Sequence, residues 1–516
     1  MFYPEDTSGN RKKLASTFNK AGALKKLQLA STEWVSHIAY NAKGQRIMSV
    51  NASLFTRFVY DDKTFNVARI RASKFNKSGN TYTPISGIRL DRGYTHDLMG
   101  SVVEIHDITP KNQWAQGPGN LTRQFTHDPL RRLISATGRE ATGAIPTAPW
   151  RLDTQPEDHT ATNTYTRNYA YDKQGNILEL QHIANGHSAN NFTRTFNYDN
   201  GFATNKLNDF TVGSNTFSYN YDANGNIIKE NSERYFEWNF ADKLAFFKRQ
   251  AGTGNPSVWV HYLYDNNGNR IKKIVNKAGS IQEVTVYIDG IYEYSYTKNS
   301  GTIDTNRNYN TLHITDPSSG SGQAGNTRVG TQRTGSDADD SIPAQKYFVE
   351  DHLGNCSVAV KTDGARLNME EPRVIHSKEL CIAKGSREAH PFGQTSFGSY
   401  AKKRYRYNGK EKDSESDLYY YRARYYAPWL CRFISCDPMK EERAWLTPYN
   451  YVQNNPINLT DPTGALDDGG GDPVKKGDTF VGDDGKTNTA SVDEVEVTAV
   501  APETLIKNVY IQAFFS

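Results

Sequence analysis

YNYDANGNIIKE, residues Tyr219–Glu230, is the stretch from which the fold follows. Tyr219 and Tyr221 flank Asn220 at the period-two spacing of a strand, which places both rings on one face. Asp222 stands at the entrance to a turn, where its carboxylate accepts hydrogen bonds from backbone N–H groups ahead of it. Gly225 and Asn226 take the left-handed positions, and the aliphatic run from Ile227 returns as a second strand. The stretch reads as one β-hairpin.

The same sentence recurs along the chain. YAYDKQGNILEL begins at Tyr169 and YLYDNNGNRIKKI at Tyr262, with looser versions at Tyr94 (YTHDLMGSVVEI), Phe125 (FTHDPLRRLISATGRE) and Phe196 (FNYDNGFATNKL). Earlier units, EWVSHIAYNAKGQR from Glu33 and FVYDDKTFNVARI from Phe58, also read as strand, polar turn, strand. Intervals of roughly 20 to 45 residues suit stacked supersecondary repeats. A single hairpin cannot bury its face, so the repeats predict an all-β chain in which hairpins stack side by side into a curved, twisted sheet with few free edges. Asp97, Asp128, Asp172, Asp199, Asp222 and Asp265 are read as turn caps in preference to metal ligands or acid–base groups, because the turn already gives each carboxylate a structural role.

Composition agrees with a thin β layer. Of 516 residues only 36% are hydrophobic, while Tyr (31), Phe (23) and Gly (40) are abundant. Such a chain lacks a thick aliphatic core but has the aromatic cross-strand pairs that stabilise sheets. Lys plus Arg (61) against Asp plus Glu (57) leaves a formal charge of +4, too small to point to nucleic acid. Cys356, Cys381, Cys431 and Cys436 form neither a disulfide framework nor a CxxC zinc pattern, so free thiols are expected and no metal or cofactor is implied. MFYPEDTSGNRKK has no apolar core of a secretory signal, and no apolar run reaches the roughly 18 residues of a membrane helix. The expectation is a secreted or cell-surface protein exported by a signal-free or unseen route.

The organisation expected from these patterns is a repeat region over 1–316, a flexible Gly/Ser linker or loop over 317–342, last repeats with an insertion over 343–400, a closing module over 401–466 and a short variable tail over 467–516. The linker is SSGSGQAGNTRVGTQRTGSDADDSI, and the insertion is RLNMEEPRVIHSKELCIAKGS from Arg366. His352, inside the Asp351–Asn355 run DHLGN, is read as a hydrogen-bonded turn histidine and not as a catalytic base.

The closing module is RYRYNGKEKDSESDLYYYRARYYAPWLCRFISCDP from Arg404, ending in NPINLTDPTG at Gly464. Tyr405 and Tyr407 alternate with arginines in strand fashion, Asn408-Gly409 supplies a turn, and Leu418 to Tyr426 is a second β-rich run. Together with the repeats and DHLGN, this wording resembles the RHS/YD-repeat proteins and their RHS repeat-associated core. It is most similar to the C components, and B–C fusions, of insecticidal toxin complexes. The resemblance runs from about Glu33 to Gly464. It implies a spiral, shell-like β band closed by the core, with other toxin-complex or shell components as partners and the chain's own C-terminal tail as cargo.

In that family the core is an aspartic autoprotease that cuts just after its terminal motif. Carried over residue by residue, the resemblance implies Asp437 of SCDP and Asp461 of TDPTG as the catalytic pair, Arg432 as the cation holding one carboxylate ionised, and cleavage near Leu466. Asp413 is a third candidate. Two adjacent carboxylates can share a proton, so that one activates water while the other polarises the carbonyl. Asp-Pro is also a strong turn former, so each Asp has a purely structural reading as well. Two departures bear on activity: Cys431 stands where the family has Gly, and Gly464-Ala465-Leu466 replaces Gly-Leu. The tail carries strand alternation in VDEVEVTAV but no nucleophile–base pair, phosphate loop or metal cluster. The implied function is a shell or carrier component of a toxin system, at most self-cleaving. The alternative is a cell-surface or wall-associated YD-repeat adhesion protein that binds carbohydrate.

Overall fold

The computed structural model describes residues 1–6, 9–51, 54–79, 81–108, 122–143, 149–151, 162–199, 204–316, 327–337, 344–360, 388–397, 404–469, 479–481 and 487–489. Among these the regular structure is β-strand, with only short 3-10 turns between. From His37–Tyr40 to Cys356–Val360 each strand pairs antiparallel with its neighbours in sequence, giving one long meander with no crossover. The all-β, hairpin-by-hairpin band expected from the repeats is the fold.

Each repeat turn is built alike. In Tyr219–Glu230 the pairs are Tyr219 with Glu230 and Asn220 with Lys229, after which the register shifts so that Tyr221 meets Ile227. Asp222 N–H donates to the Asn226 carbonyl at 3.0 Å, and Gly225 N–H, at φ +88°, donates back to the Asp222 carbonyl. Asp222 Oδ1 then accepts the Asn226 N–H at 2.8 Å. Asp97, Asp128, Asp172, Asp265 and Asp351 cap their turns the same way, each accepting two backbone N–H groups on Oδ1.

The tyrosine before the aspartate has a task of its own. Tyr171 Oη donates to the Leu133 carbonyl at 2.6 Å, Tyr198 to Ile177 at 2.9 Å and Tyr264 to Leu244 at 2.7 Å. Trp238, one turn along, does the same with Nε1 on the Ile227 carbonyl. Each hydroxyl crosses to the hairpin before it and takes up a carbonyl near the bulge by the turn, where the ladder leaves it unpaired. Alternation therefore builds the strand, and the terminal tyrosine stitches hairpin to hairpin.

Four earlier strands, Phe2–Glu5, Arg11–Phe18, Leu24–Leu29 and Thr32–Val35, form a separate sheet. Side chains carry the early strands onto the late ones. Tyr3 Oη donates to the His313 carbonyl at 2.8 Å, Trp34 lies 4.5 Å from Tyr347, and Arg46 pairs with Asp316.

Three expectations need correction. Part of the expected linker, Thr327–Asp337, is a strand of the band, paired with Thr302–Asp316 on one side and Gln345–Glu350 on the other. Its small polar residues read as loop, yet Gly330 is needed there because a Cβ would collide with the Lys346 carbonyl and Trp34. Arg404 to Tyr407 is not a ladder strand: Tyr405 makes one isolated bridge to Glu411, and Tyr407–Gly409 is a 3-10 turn with Asn408 at φ +49°. Leu418 to Tyr426 breaks into Tyr419–Tyr420 and Tyr425–Ala427, because Arg422 at φ +64° reverses the chain between them. The expected insertion from Arg366 to Ser386 and the tail beyond 489 lie outside the described residues.

The closing module holds a four-stranded sheet of Glu411–Lys412, Tyr419–Tyr420, Tyr425–Ala427 and Arg432–Phe433. Asp468–Gly469 pairs with Leu459–Thr460, so the module reaches past residue 466. One hydrophobic cluster runs unbroken from the band into the buried Tyr407, Tyr419, Tyr421, Tyr426 and Tyr451. The module sits on the turns of the band. Asn454 Nδ2 donates to the Gly175 carbonyl at 2.8 Å, Tyr449 Oη to Gly225 at 2.7 Å, and Val102 N–H to Asn458 Oδ1 at 2.7 Å. His352 Nε2 lies 2.9 Å from the Ile457 carbonyl, and Asn408 N–H donates to Asn355 Oδ1. His352 is a turn histidine, as its sequence context indicates. The repeat turns thus form a rim, and the module rests on it.

Candidate active site

Two Asp-Pro turns in the module face one arginine. Asp437 is fixed by its N–H on the Pro448 carbonyl and by the Met439 N–H on its Oδ1, both at 2.8 Å. Its Oδ2 lies 3.0 Å from Arg424 Nη2 and 3.0 Å from Arg443 Nη2. Asp461 spends Oδ1 on its own turn, accepting the Gly464 N–H at 2.6 Å and the Thr463 N–H at 3.1 Å. Its Oδ2 lies 3.6 Å from the same Arg424 Nη2. Both carboxylates therefore converge on one guanidinium nitrogen, and both side chains are buried.

Arg424 is locked in place. Its guanidinium lies 3.7 Å from the Phe433 ring centroid, Nη1 donates to the Pro448 carbonyl at 3.2 Å, and Nε donates to the Gly464 carbonyl. Burial pushes its guanidinium down to about 10, against the pull of the two aspartates. Burial also raises the Asp461 carboxyl above its ordinary value, a push that outweighs Arg424, the turn N–H groups and Lys410. Lys410 Nζ donates to the Pro462 carbonyl at 2.6 Å, and burial pushes its ammonium down to about 8. The segment Pro462 to Asp467 is consequently held carbonyl by carbonyl: Pro462 by Lys410, Gly464 by Arg424 and Ala465 by Arg443.

Of the residues singled out from sequence, Asp437 and Asp461 meet, and Leu466 follows directly, 43% exposed. Arg432 does not join them. It donates to the Asn205 carbonyl at 2.9 Å and stacks on Tyr449 and Tyr198, anchoring the module to the band; Arg424 holds the position expected for it. Asp413 lies elsewhere, fully buried between Arg270 at 3.1 Å and Lys273 at 2.9 Å. Cys431 accepts the left-handed turn at φ +55° with its thiol buried, and burial pushes that thiol up to about 12. Cys431 and Cys436 are free thiols.

Arg424 and Arg443 were missed by sequence reasoning. Arg424 left a faint signal, a cation inside the tyrosine run YYYRARYY where alternation turns it toward the rings. Arg443 sits in the polar 3-10 turn Lys440–Arg443 and left none.

No family model matches the chain. The toxin subunit YenC1 of Yersinia entomophaga is 28% identical over 477 residues, which cover 89% of this chain and 45% of that protein. YenC2 of the same organism is 26% identical over 482 residues, covering 89% and 46%. The tRNA nuclease WapA of Bacillus subtilis (strain 168) is 26% identical over 57% of this chain and 11% of its own length. Among solved structures, the TcdB2-TccC3 crystal structure superposes with a TM-score of 0.71, at 24% identity, over 88% of this chain and 21% of that chain. A Photorhabdus luminescens Tc holotoxin pore superposes equally well, at 22% identity, over 90% of this chain and 21% of that one. The chain spans about half the length of the curated relatives it matches, and along most of its own length it has the shell-like β fold of the TcdB2-TccC3 structure and is similar to the toxin subunits YenC1 and YenC2.

Proposed function

We propose that this chain is a shell component of a toxin complex, that its closing module is an RHS repeat-associated core, and that the module cuts the chain's own C-terminal segment free. The observation that carries the reading is the convergence of Asp437 and Asp461 on Arg424, beside the pinned segment Gly464 to Asp467. Asp437, held by two guanidinium groups and a backbone N–H, is the partner that takes a proton from water. Asp461, raised by burial, is the protonated partner that supplies one to the leaving nitrogen. Seating of the module on the rim supports a carrier role, since the cut end starts where the band is capped. The partners are further shell or toxin-complex components, with the tail as cargo and export by a signal-free or unseen route.

The test is a denaturing gel of the purified chain beside Asp461→Asn. Two fragments from the first and one from the second are expected. An uncut wild-type chain, or a cut Asp461→Asn chain, contradicts the reading.

A further inference from the structure

We infer that Arg443 is the electrophilic group of the cleavage and that it fixes the scissile bond as Ala465–Leu466. The inference rests on the self-cleavage reading and concerns which bond is cut and what polarises it. Three carbonyls of the segment accept a cation, so the choice among them is a question of access. Arg424 is 1% exposed and clamped on Phe433, and Gly464, whose carbonyl it holds, is buried; water has no approach there. Lys410 holds Pro462, whose following bond leads back into the Asp461 turn. Ala465 is half-buried and Leu466 exposed, so water can reach the bond between them.

Arg443 occupies that junction. Its Nη2 donates to the Ala465 carbonyl and lies 3.0 Å from Asp437 Oδ2, so one nitrogen links the carbonyl to the carboxylate that activates water. Its Nη1 pairs with Asp467, whose other oxygen accepts Gln453 Nε2 at 2.6 Å. The chain is therefore pinned before the bond at Gly464 and after it at Asp467, while Leu466 N–H has only a 3.5 Å contact with Thr463 Oγ1. A carbonyl held by a fixed cation, next to a base and open to water, is the geometry of an oxyanion site.

The step balances with water as the only co-reactant. The water oxygen bonds to the Ala465 carbonyl carbon as its proton passes to Asp437, and the carbonyl electron pair moves onto the oxygen held by Arg443. That pair then re-forms the C=O as the C–N bond breaks and the Leu466 nitrogen takes the proton of Asp461. The products are a carboxyl group at Ala465 and an amine at Leu466.

The experiment is cell-free synthesis of the full chain, a time course of its cleavage, and N-terminal sequencing of the small fragment. The unmutated chain is expected to yield a fragment beginning at Leu466. Arg443→Met is expected to slow cleavage by roughly 10² to 10³-fold, the usual loss for one oxyanion donor. Arg443→Lys, which keeps a cation, falls between, and circular dichroism of both variants checks that they fold. A fragment beginning elsewhere, or an Arg443→Met chain cut at the unmutated rate, overturns the inference while the self-cleavage reading stands. An unmutated chain that stays whole, or an Asp461→Asn chain that is cut, overturns both.

Discussion

Arg424 shows what a single buried cation contributes. It joins two acids that are distant in sequence and takes up two carbonyls of the module, and only the three-dimensional arrangement reveals it. The aspartates were legible because Asp-Pro turns and a family wording mark them. Their cation was assigned to Arg432 because that residue adjoins the motif, whereas the turn at Cys431 carries Arg432 toward Asn205. Proximity in sequence lost to the direction of a two-residue strand. The shifted acid has a pH consequence. In the proposed cleavage Asp461 acts in its protonated form, and its carboxyl is raised, so the cleavage rate should hold above the ordinary carboxylate range and fall as pH rises through the raised value; a rate that climbs steadily from pH 5 to 8 would contradict the assignment. A second buried acid, Glu140, offers a check on stability away from the site. His182 Nε2 lies 3.0 Å from it and His390 3.7 Å, and burial pushes its carboxyl up to about 7. A raised value means that its contribution is full below its ordinary value near 4.5 and is lost as pH rises toward 7. The melting temperature of Glu140→Gln should therefore vary less between pH 5 and 8 than that of the unmutated chain.

The hairpin is the element best read from sequence. Alternating aromatics, an Asp at the turn entrance and a Gly three residues later have local causes, and the turns at Asp172, Asp222 and Asp265 obey them. The tyrosine stitch was invisible because its acceptor lies in the preceding hairpin, though the use of Tyr and not Phe directly before Asp at residues 171, 198 and 264 was its trace. Tyr171→Phe keeps the ring and strands the Leu133 carbonyl, so a loss of about 1 kcal/mol in unfolding free energy is expected, within the range for one removed hydrogen bond. An unchanged denaturation midpoint would show that the stitch adds nothing. Thr327–Asp337 escaped notice for the opposite reason. Its glycines and hydroxyls look like a linker, and only the neighbours on both sides make it a strand.

At the scale of the molecule, charge buried between band and module joins the two. Arg270 and Lys273 from one hairpin meet Glu411, Asp413 and Glu415 from the module, and Arg234 lies between Trp150 and Trp429. The enclosure of these ions was not legible in the balanced overall charge, because pairing depends on which hairpin lies beneath which loop. Asp413→Ala removes the carboxylate that Arg270 and Lys273 share while each keeps one other, Glu411 and Glu415, and a loss of about 1 to 3 kcal/mol is expected, above that of an exposed carboxylate. In the proposed cleavage the start of the freed tail stays tied to the module, through Asp467 on Arg443 and Asp468–Gly469 paired with Leu459–Thr460, so the two fragments are expected to remain together. Size-exclusion chromatography of the native protein, with each fraction run on a denaturing gel, measures this directly. The account predicts that the two fragments co-elute natively and separate only on denaturation, while Asp461→Asn gives one uncut band; a tail fragment that elutes by itself, or a wild-type chain that remains whole, would contradict it.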